Sequence, residues 1–264
     1  MKILLYQADA FTSKIFGGNP AAVCPLEKWL PDDVMQQIAN ENNLAETAFF
    51  VKQGNDYALR WFTPVYEVDL CGHATLASAF ILFEILNYDK PEIKFHTRSG
   101  VLSVKKDGAF LKMNFPKDEM SKIETPAVLM EAIKQTPLET WQGKTDYMAV
   151  LSSQKALEAL QPDFGILKTL PNMRGVICTA KGESVDFVSR CFYPAYGIDE
   201  DPTTGSAHTT MTPYWAEKLN KKKLTAQQLS KRKGDLICEL VGDRVEISGQ
   251  ARLYLMGEIE VPEF

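Results

Sequence analysis

The chain has 264 residues, of which 45% are hydrophobic and 24% charged, and this composition excludes a largely disordered protein. Its formal net charge of −5 gives no electrostatic support for a nucleic-acid partner. No apolar run is long enough to span a bilayer, and the N-terminus turns polar at Gln7, too soon for a signal peptide. Five scattered cysteines without a Cys-x-x-Cys pair indicate a reduced, cytoplasmic protein with free thiols.

The first half of the sequence predicts a series of strands interrupted by two helices. One helix opens at Pro31, which two acids follow, and ends near Asn43. The second covers residues 74–86, which are apolar on nearly all sides, as expected of a helix that is buried all round. Alternation and turn signals predict strands at 2–11, 21–26, 46–51, 57–63, 93–96, 100–106 and 109–115. The polar stretch 116–124 is predicted as a linker.

The second half repeats this plan. Helices are predicted at 126–133, 155–160 and 209–219, and strands at 147–152, 175–179, 185–192, 234–240, 244–247 and 251–261. The Gly-rich turns 72–75 (GHAT) and 205–209 (GSAHT) stand half a chain apart, and each precedes a helix. The repeat predicts an α+β fold of two pseudo-symmetric domains, 1–118 and 119–251, each a strongly bent, mostly antiparallel sheet wrapped around a central helix. Two helix starts would then face one ligand cleft.

The stretch 199–208 (DEDPTTGSAH) places three carboxylates, three hydroxyls and a histidine in a turn before a predicted helix. An acid followed by Pro predicts that the helix opens near Pro202, and free N–H groups at a helix start attract anions. Asp201 could relay a proton or orient a substrate amine, while Ser206 and the N–H groups near Gly205 could hold a carboxylate. The alternative is that these residues only cap the helix.

Glu46 and His73 are candidates for proton transfer. Glu46 is a lone acid between a helix end and an apolar, Phe-rich strand, and burial would raise its pKa to a range that suits a general acid/base. His73 follows Gly72 at a helix start, where a neutral imidazole is expected. The alternatives are an exposed acid at a strand start and a histidine that belongs to the helix cap or core.

Cys71 directly precedes the same helix start, which should favour its thiolate, so that it could act as a base. The alternative is a small buried hydrophobic residue. The sequence has no dinucleotide or phosphate-binding fingerprint, no nucleophile elbow and no His/Cys cluster of metal-site spacing. We therefore expect proton transfer by side chains alone, without a metal or cofactor.

Four motifs together resemble the phenazine-biosynthesis (PhzF-like) family: 16–23 (FGGNPAAV), 43–49 (NLAETAF), 70–77 (LCGHATLA) and 200–208 (EDPTTGSAH). The resemblance implies a diaminopimelate-epimerase-like fold, with the active site between two domains and the first domain completed by residues 252–264. It also implies cofactor-independent isomerisation and a homodimer. Glu46 would move a proton between two carbons of a small carboxylated, amino-acid-like or cyclic substrate. His73, Asp201 and Ser206 fall on the family's other active-site positions.

Two alternatives remain open at this point. The related two-thiol epimerases and racemases carry a Cys before a Gly at the turn where this chain has Cys71 and Gly72, so a Cys71-dependent epimerase or racemase is possible. The counterpart in the second half is Asp201 instead of a second Cys, which argues against a complete two-thiol mechanism. The second alternative is a small-molecule-binding protein without activity on the same fold. Nothing in the sequence indicates that the protein makes phenazines.

Overall fold

The computed structural model describes residues 1–171 and 173–263. These residues divide into two compact units. The first unit contains Met1–Asn114 and the C-terminal segment that starts at Ser248, and the second contains Phe115–Ile247. Each unit combines a mostly antiparallel sheet with a few helices, so the predicted α+β class is confirmed.

The first unit follows the chain through β1 (Lys2–Ala10), β2 (Asn19–Leu26), α1 (Asp32–Asn42), β3 (Glu46–Gln53), β4 (Asp56–Phe62), β5 (Glu67–Val68), α2 (Gly72–Phe80), β6 (Glu92–Thr97), β7 (Gly100–Asp107) and β8 (Phe110–Pro116). The second unit continues with β9 (Ser121–Ile123), α3 (Ala127–Ile133), β10 (Glu139–Gln142), β11 (Asp146–Val150), α4 (Gln154–Glu158), α5 (Phe164–Leu167), β12 (Gly175–Lys181), β13 (Phe187–Tyr193), β14 (Ile198–Asp201), α6 (Ala207–Leu219), β15 (Lys223–Gln228), β16 (Gly234–Val241) and β17 (Arg244–Gly249). The last strand, β18 (Ala251–Glu260), returns to the first unit.

Strand pairing follows the same pattern in both units. In the first unit, β2 pairs parallel with β3 and β4 parallel with β6, while β1, β7 and β8 make antiparallel pairs. In the second unit, β11–β12 and β13–β15 are the parallel pairs and the pairs β10–β11, β12–β13 and β15–β16 are antiparallel. This alternation is consistent with the internal repeat that the sequence predicts.

Helix α2 is the centre of the first unit. It packs against β1, β2, β3 and β18, and every residue from His73 to Ala79 is buried. Its buried hydroxyls are satisfied within the helix, because Thr75 Oγ1 donates to the carbonyl of Cys71 and Ser78 Oγ donates to the carbonyl of Ala74. The helix therefore tolerates burial on all sides, as the apolar pattern predicts, and it continues as a π-helical turn over Ile81–Ile85.

Gly249 allows the C-terminal segment to pass close to α2. A Cβ atom at this position would lie 2.4 Å from Cδ1 of Phe11 and 3.1 Å from Cδ1 of Leu76. Real Cβ atoms do not approach other carbons to 2.4 Å, so a larger residue would displace the Phe11 ring. The segment then continues into β18, which pairs antiparallel with β1 from Ala10↔Ala251 to Lys2↔Glu260.

Helix α6 is the corresponding helix of the second unit and packs against β11, β15 and β16. It contains Pro213, which has no N–H group and leaves the carbonyl of Thr209 without its usual partner in the helix. The backbone N–H of Asp118 donates to that carbonyl at 3.2 Å, and Thr210 Oγ1 donates to the Asp118 carboxylate at 2.9 Å. The predicted linker thereby compensates for the proline.

The turn before α6 differs from the prediction. The acid-Pro pair does not open the helix: Asp201 ends β14, whose backbone pairs with Cys191 of β13, and α6 begins only at Ala207. Ser206 occupies the N-cap position without a side-chain cap bond. The capping interpretation of Asp201 and Pro202 is therefore wrong, because strand pairing fixes the backbone before the turn.

Other differences concern short elements. The predicted linker contains β9, and the sequence pattern does not predict β5, β10, α5, β14 or β15. All five cysteines are buried free thiols. Among the described residues, the structure contains no helix of the length and apolarity needed to cross a membrane.

Candidate active site

Glu46 is positioned by the chain reversal between α1 and β3. Helix α1 ends in a left-handed C-cap at Asn43, whose N–H donates to the carbonyl of Ala39 at 3.2 Å. Glu46 is then the first residue of β3 and lies opposite Ala21 of β2 in a parallel pair. Its side chain is only 13% exposed. The structure therefore places this carboxylate at the mouth of a buried strand.

The structure brings Glu46, Cys71 and His73 together. Nε2 of His73 lies 3.1 Å from Oε2 of Glu46, and Nδ1 of His73 lies 3.5 Å from Sγ of Cys71. Among the described residues, Oε2 of Glu46 is a buried oxygen without a hydrogen-bond partner, since its contact with the imidazole is not aligned as a hydrogen bond. A buried basic oxygen with unused acceptor capacity can take a proton from a bound molecule.

The pKa values of His73 and Cys71 differ from those expected at an isolated helix start. Burial disfavours the charged imidazole, but the neighbouring Cys71 and Glu46 raise the pKa of His73 well above its ordinary value of 6.5. The pKa of His73 is thus raised, whereas a helix start alone would lower it. Burial also raises the pKa of the Cys71 thiol to about 11, with a contribution from Glu46. The expected thiolate is thus absent at neutral pH.

Asn19 completes the surroundings of His73. Its Nδ2 lies 3.2 Å from Nδ1 of His73, and both residues are buried. Asn19 belongs to the motif at 16–23 but was not singled out as a site residue from the sequence. Because the amide contacts one ring nitrogen while Glu46 contacts the other, the two residues fix the orientation of the imidazole.

In the second unit, Asp201 begins a buried turn that is held by a chain of hydrogen bonds. Thr204 Oγ1 donates a short hydrogen bond to Oδ2 of Asp201. Gln228 is fully buried; its Oε1 accepts from the N–H of Thr204 at 2.8 Å, and its Nε2 donates to the carbonyl of Asp201 at 2.7 Å. These contacts fix the Asp201 carboxylate and determine the orientation of the Gln228 amide. The sequence offered no signal for Gln228, whose partners lie more than 20 positions away.

His208 holds the same turn from inside α6. The ring is fully buried next to Phe187, and Nδ1 lies 2.8 Å from the carbonyl of Thr204. A carbonyl can only accept, so Nδ1 carries the proton and donates it. Among the described residues, Nε2 has no partner, and burial lowers the pKa of His208 to about 4. His208 is therefore a neutral structural donor at physiological pH.

Ser206 lies beside a guanidinium group that the sequence did not reveal. Nε and Nη2 of Arg174 donate to the two carboxylate oxygens of Asp146 at 3.0 and 2.5 Å, and Nη2 also donates to Oγ of Ser206 at 3.4 Å. The Tyr193 ring packs against the guanidinium at 4.6 Å. Asp146 is almost fully buried, whereas about one third of the Arg174 side chain is exposed. A fixed positive group therefore borders the start of α6, where an anion would bind favourably.

The predicted site residues thus fall into two groups. Gly72 is the first residue of α2, between Cys71 and His73, and these three residues and Glu46 belong to the first unit. Asp201, Gly205 and Ser206 belong to the second unit. Gly205 is buried, and its carbonyl accepts from the N–H of His208 at 3.1 Å.

A cavity of about 1020 Å³ in the second unit contains none of these residues. It lies along the linker and α6, and Trp141 and Tyr214 contribute its aromatic surface. Lysines and acids are equally represented in its lining, so its charge favours neither anions nor cations. The candidate site is therefore defined by its side-chain chemistry, and this cavity is not part of it.

A family model, related sequences and solved structures all indicate the same protein family. The family model described as "Phenazine biosynthesis-like protein" matches residues 8–257. The chain is 50% identical to the uncharacterized isomerase PA2770 of Pseudomonas aeruginosa, over 99% of this chain and all of that protein. A crystal structure of a PhzF-family phenazine biosynthesis protein from Enterococcus faecalis superposes with a TM-score of 0.96 at 47% identity, covering 98% of this chain and all of that one.

The same fold extends to more distant enzymes. A hydroxyproline epimerase from Agrobacterium vitis superposes with a TM-score of 0.58 at 10% identity, covering 98% of this chain and 91% of that one. This likeness is one of fold only, and it agrees with the predicted epimerase-like architecture. The match to the family model and the identities over whole chains are much more specific. The chain belongs to the phenazine biosynthesis-like (PhzF) protein family.

Proposed function

We propose that the protein is a cofactor-independent isomerase in which Glu46 moves a proton on a small carboxylated, amino-acid-like or cyclic substrate. The observation that carries this proposal is the buried Oε2 of Glu46, which has no hydrogen-bond partner among the described residues and lies 3.1 Å from Nε2 of His73. Relatives named as isomerases at 45–50% identity support the reaction class.

In the proposed reaction, an oxygen of Glu46 takes a proton from one carbon of the substrate. The electron pair of the broken C–H bond moves into the conjugated or carboxylate-bearing part of the substrate. Glu46 then returns a proton to a second carbon, and any exchange of its proton with solvent before that step brings deuterium from deuterated water into the product. His73, whose pKa is raised, stabilises the negative charge that develops when the C–H bond breaks. No group is oxidised or reduced, so this proton transfer needs no cofactor.

Asp201, Gly205 and Ser206 have the second role in this proposal. Ser206 and the N–H groups near Gly205 would hold the substrate carboxylate, supported by the neighbouring guanidinium of Arg174. Asp201 would relay a proton or orient an amine, because Thr204 and Gln228 hold its carboxylate in one position. The resemblance also predicts a homodimer, which light scattering tests.

The test is exchange of carbon-bound hydrogen with deuterated water, followed by NMR across a panel of small amino and hydroxy acids. For any substrate that exchanges or isomerises, Glu46→Gln should lower the rate by about 10²- to 10⁴-fold, because the substitution removes a general base and keeps the shape. Glu41→Gln is the matched control, since Glu41 is an exposed acid on the neighbouring helix. Normal turnover by Glu46→Gln would refute the proposal.

The Cys71-dependent alternative has weaker support, since the thiol remains protonated at neutral pH. Cys71→Ala should therefore retain exchange in the same assay. Loss of exchange in this variant, together with normal exchange in Glu46→Gln, would replace the first proposal with the second. A molecule that binds but exchanges no hydrogen would instead favour a binding protein without activity.

A further inference from the structure

Three side chains of the first unit bring together the donor atoms that zinc prefers. A carboxylate oxygen of Glu46, Sγ of Cys71 and a ring nitrogen of His73 all lie within 4.8 Å of one another. Sγ is 3.5 Å from Nδ1 and 4.0 Å from Nε2 of the imidazole, and Nε2 is 3.1 Å from the carboxylate. Sulfur, nitrogen and oxygen ligands of tetrahedral zinc stand at similar separations from one another, about 3 to 4 Å.

The sequence did not reveal this group, because its members do not have metal-site spacing. Cys71 and His73 are separated by one residue at the start of α2, whereas Glu46 stands 25 positions upstream at the start of β3. The residues meet because β3 packs against α2. Cys71 and His73 are both buried, so they are held in place and shielded from water.

The chemistry of the donors selects the class of metal. A thiolate and an imidazole favour Zn²⁺ and other late divalent ions, whereas Mg²⁺ and Ca²⁺ require several oxygen ligands. Three protein ligands leave a fourth position of a tetrahedral ion for water or a small anion. The Oε2 atom of Glu46, which has no hydrogen-bond partner among the described residues, would gain one strong interaction.

We propose that Glu46, Cys71 and His73 form a binding site for one Zn²⁺ ion, and that the bound ion reversibly inhibits the enzyme. The inhibition rests on the proposed function, because the metal would occupy the oxygen that accepts the substrate proton and the imidazole beside it. The binding itself does not rest on it. When the Zn–S bond forms, the thiol proton is released to solvent. A charged His73 also releases one proton to solvent, because the ion binds a neutral ring nitrogen.

Binding is tested with Co²⁺ and Zn²⁺ on the reduced full-length protein, without any substrate. Co²⁺ should produce a sulfur-to-cobalt charge-transfer band and the intense visible bands of tetrahedral coordination, at one ion per chain, and Zn²⁺ should displace it. Calorimetry with Zn²⁺ in buffers of different ionisation enthalpy should show the release of at least one proton per ion.

Matched variants assign the ligands. Cys71→Ser should abolish the charge-transfer band and weaken Zn²⁺ binding by at least about 100-fold, and Glu46→Gln should weaken it by about 10-fold or more. Cys24→Ala is the control for a buried thiol of the same unit, and His96→Gln removes an exposed His–Asp pair that could bind zinc weakly. Neither control should change the affinity. An unchanged affinity in Cys71→Ser, or loss of binding in His96→Gln, would overturn the proposal.

The inhibition is tested separately, on whichever substrate the exchange assay identifies. Zn²⁺ should stop exchange at the concentration that saturates the cobalt-competition assay, and a chelator should restore the rate. Zinc that binds through Cys71 without slowing exchange would overturn the inhibitory role and the assignment of Glu46 as the base, while leaving the metal site intact. Absence of the cobalt band would overturn the metal site and leave the proposed isomerase unaffected.

Discussion

The buried imidazole of His208 should make the protein less stable in mild acid. In the unfolded chain this histidine takes up a proton near its ordinary pKa of 6.5, whereas burial lowers its pKa in the folded protein to about 4. The unfolded state therefore binds more protons between these two values, and stability falls as the pH falls. The contribution is fully present above pH 6.5 and is lost as the pH drops through 4.

The size of the effect follows from the pKa difference. A difference of about 2.5 pH units corresponds to about 3 kcal/mol of unfolding free energy between pH 7 and pH 4. The substitution His208→Asn removes the titration, while its Nδ2 can still donate to the carbonyl of Thr204. We expect the variant to lose some stability at pH 7 because its side chain is smaller. Its further loss between pH 7 and pH 4 should be about 3 kcal/mol smaller than that of the unmodified protein.

The assay is urea unfolding at several pH values, together with NMR of the imidazole signals, which is practical because the chain has only three histidines. Thr212→Val is the control, since Thr212 is also fully buried in α6 and bonded within it but does not titrate. Its loss of stability should be the same at all pH values. An equal pH dependence in His208→Asn and the unmodified protein, or a His208 signal that titrates near 6.5, would refute the reasoning.

Two further predictions concern contacts that fix the fold. The substitution Arg174→Met should lower the free energy of unfolding by about 3 kcal/mol, because it leaves the buried carboxylate of Asp146 without its partner. Asp146→Asn should lower it less, since the partly exposed guanidinium of Arg174 can turn to water. Equal losses of free energy in urea unfolding would contradict this prediction. Gly249→Ala should lower the free energy of unfolding by about 2 kcal/mol, because its Cβ would collide with the Phe11 ring. The control Gly257→Ala should be close to neutral, since no atom lies within 4 Å of the added carbon. Thermal unfolding of both variants tests this difference.

The elements that the sequence predicted well are those whose pattern is local and strong. The buried helix α2 was predicted because its residues are apolar on nearly every side, and its hydroxyls need no external partner. By contrast, β15 begins in a lysine-rich stretch and ends in Gln227 and Gln228, which do not read as a buried strand. Gln228 is nevertheless fully buried, because the turn at Asp201 supplies partners for its amide. These hydrogen bonds join residues that are distant in sequence, so no local sequence pattern indicates them.

The candidate site shows the same division. The residue types at Glu46, Cys71 and His73 were predicted to carry chemistry, but their meeting depends on how β3 packs on α2. A helix start alone would lower the pKa of both side chains, but burial raises the pKa of Cys71, and the neighbouring Cys71 and Glu46 raise that of His73 despite its burial. Similarly, the pair Asp201–Pro202 predicts a helix start, whereas strand pairing ends at Asp201 and the helix begins only at Ala207. Interactions between distant segments decided each of these cases.

The return of β18 to β1 has a consequence for the order of folding. Phe115–Ile247 is continuous in sequence, so this unit has all of its strands once they leave the ribosome. The first unit must wait until β18 has been synthesised, because β1 pairs with residues about 250 positions downstream. Until then, one edge of β1 is open to pairing with other chains. We therefore expect folding intermediates that lack β18 to be the species most prone to aggregation.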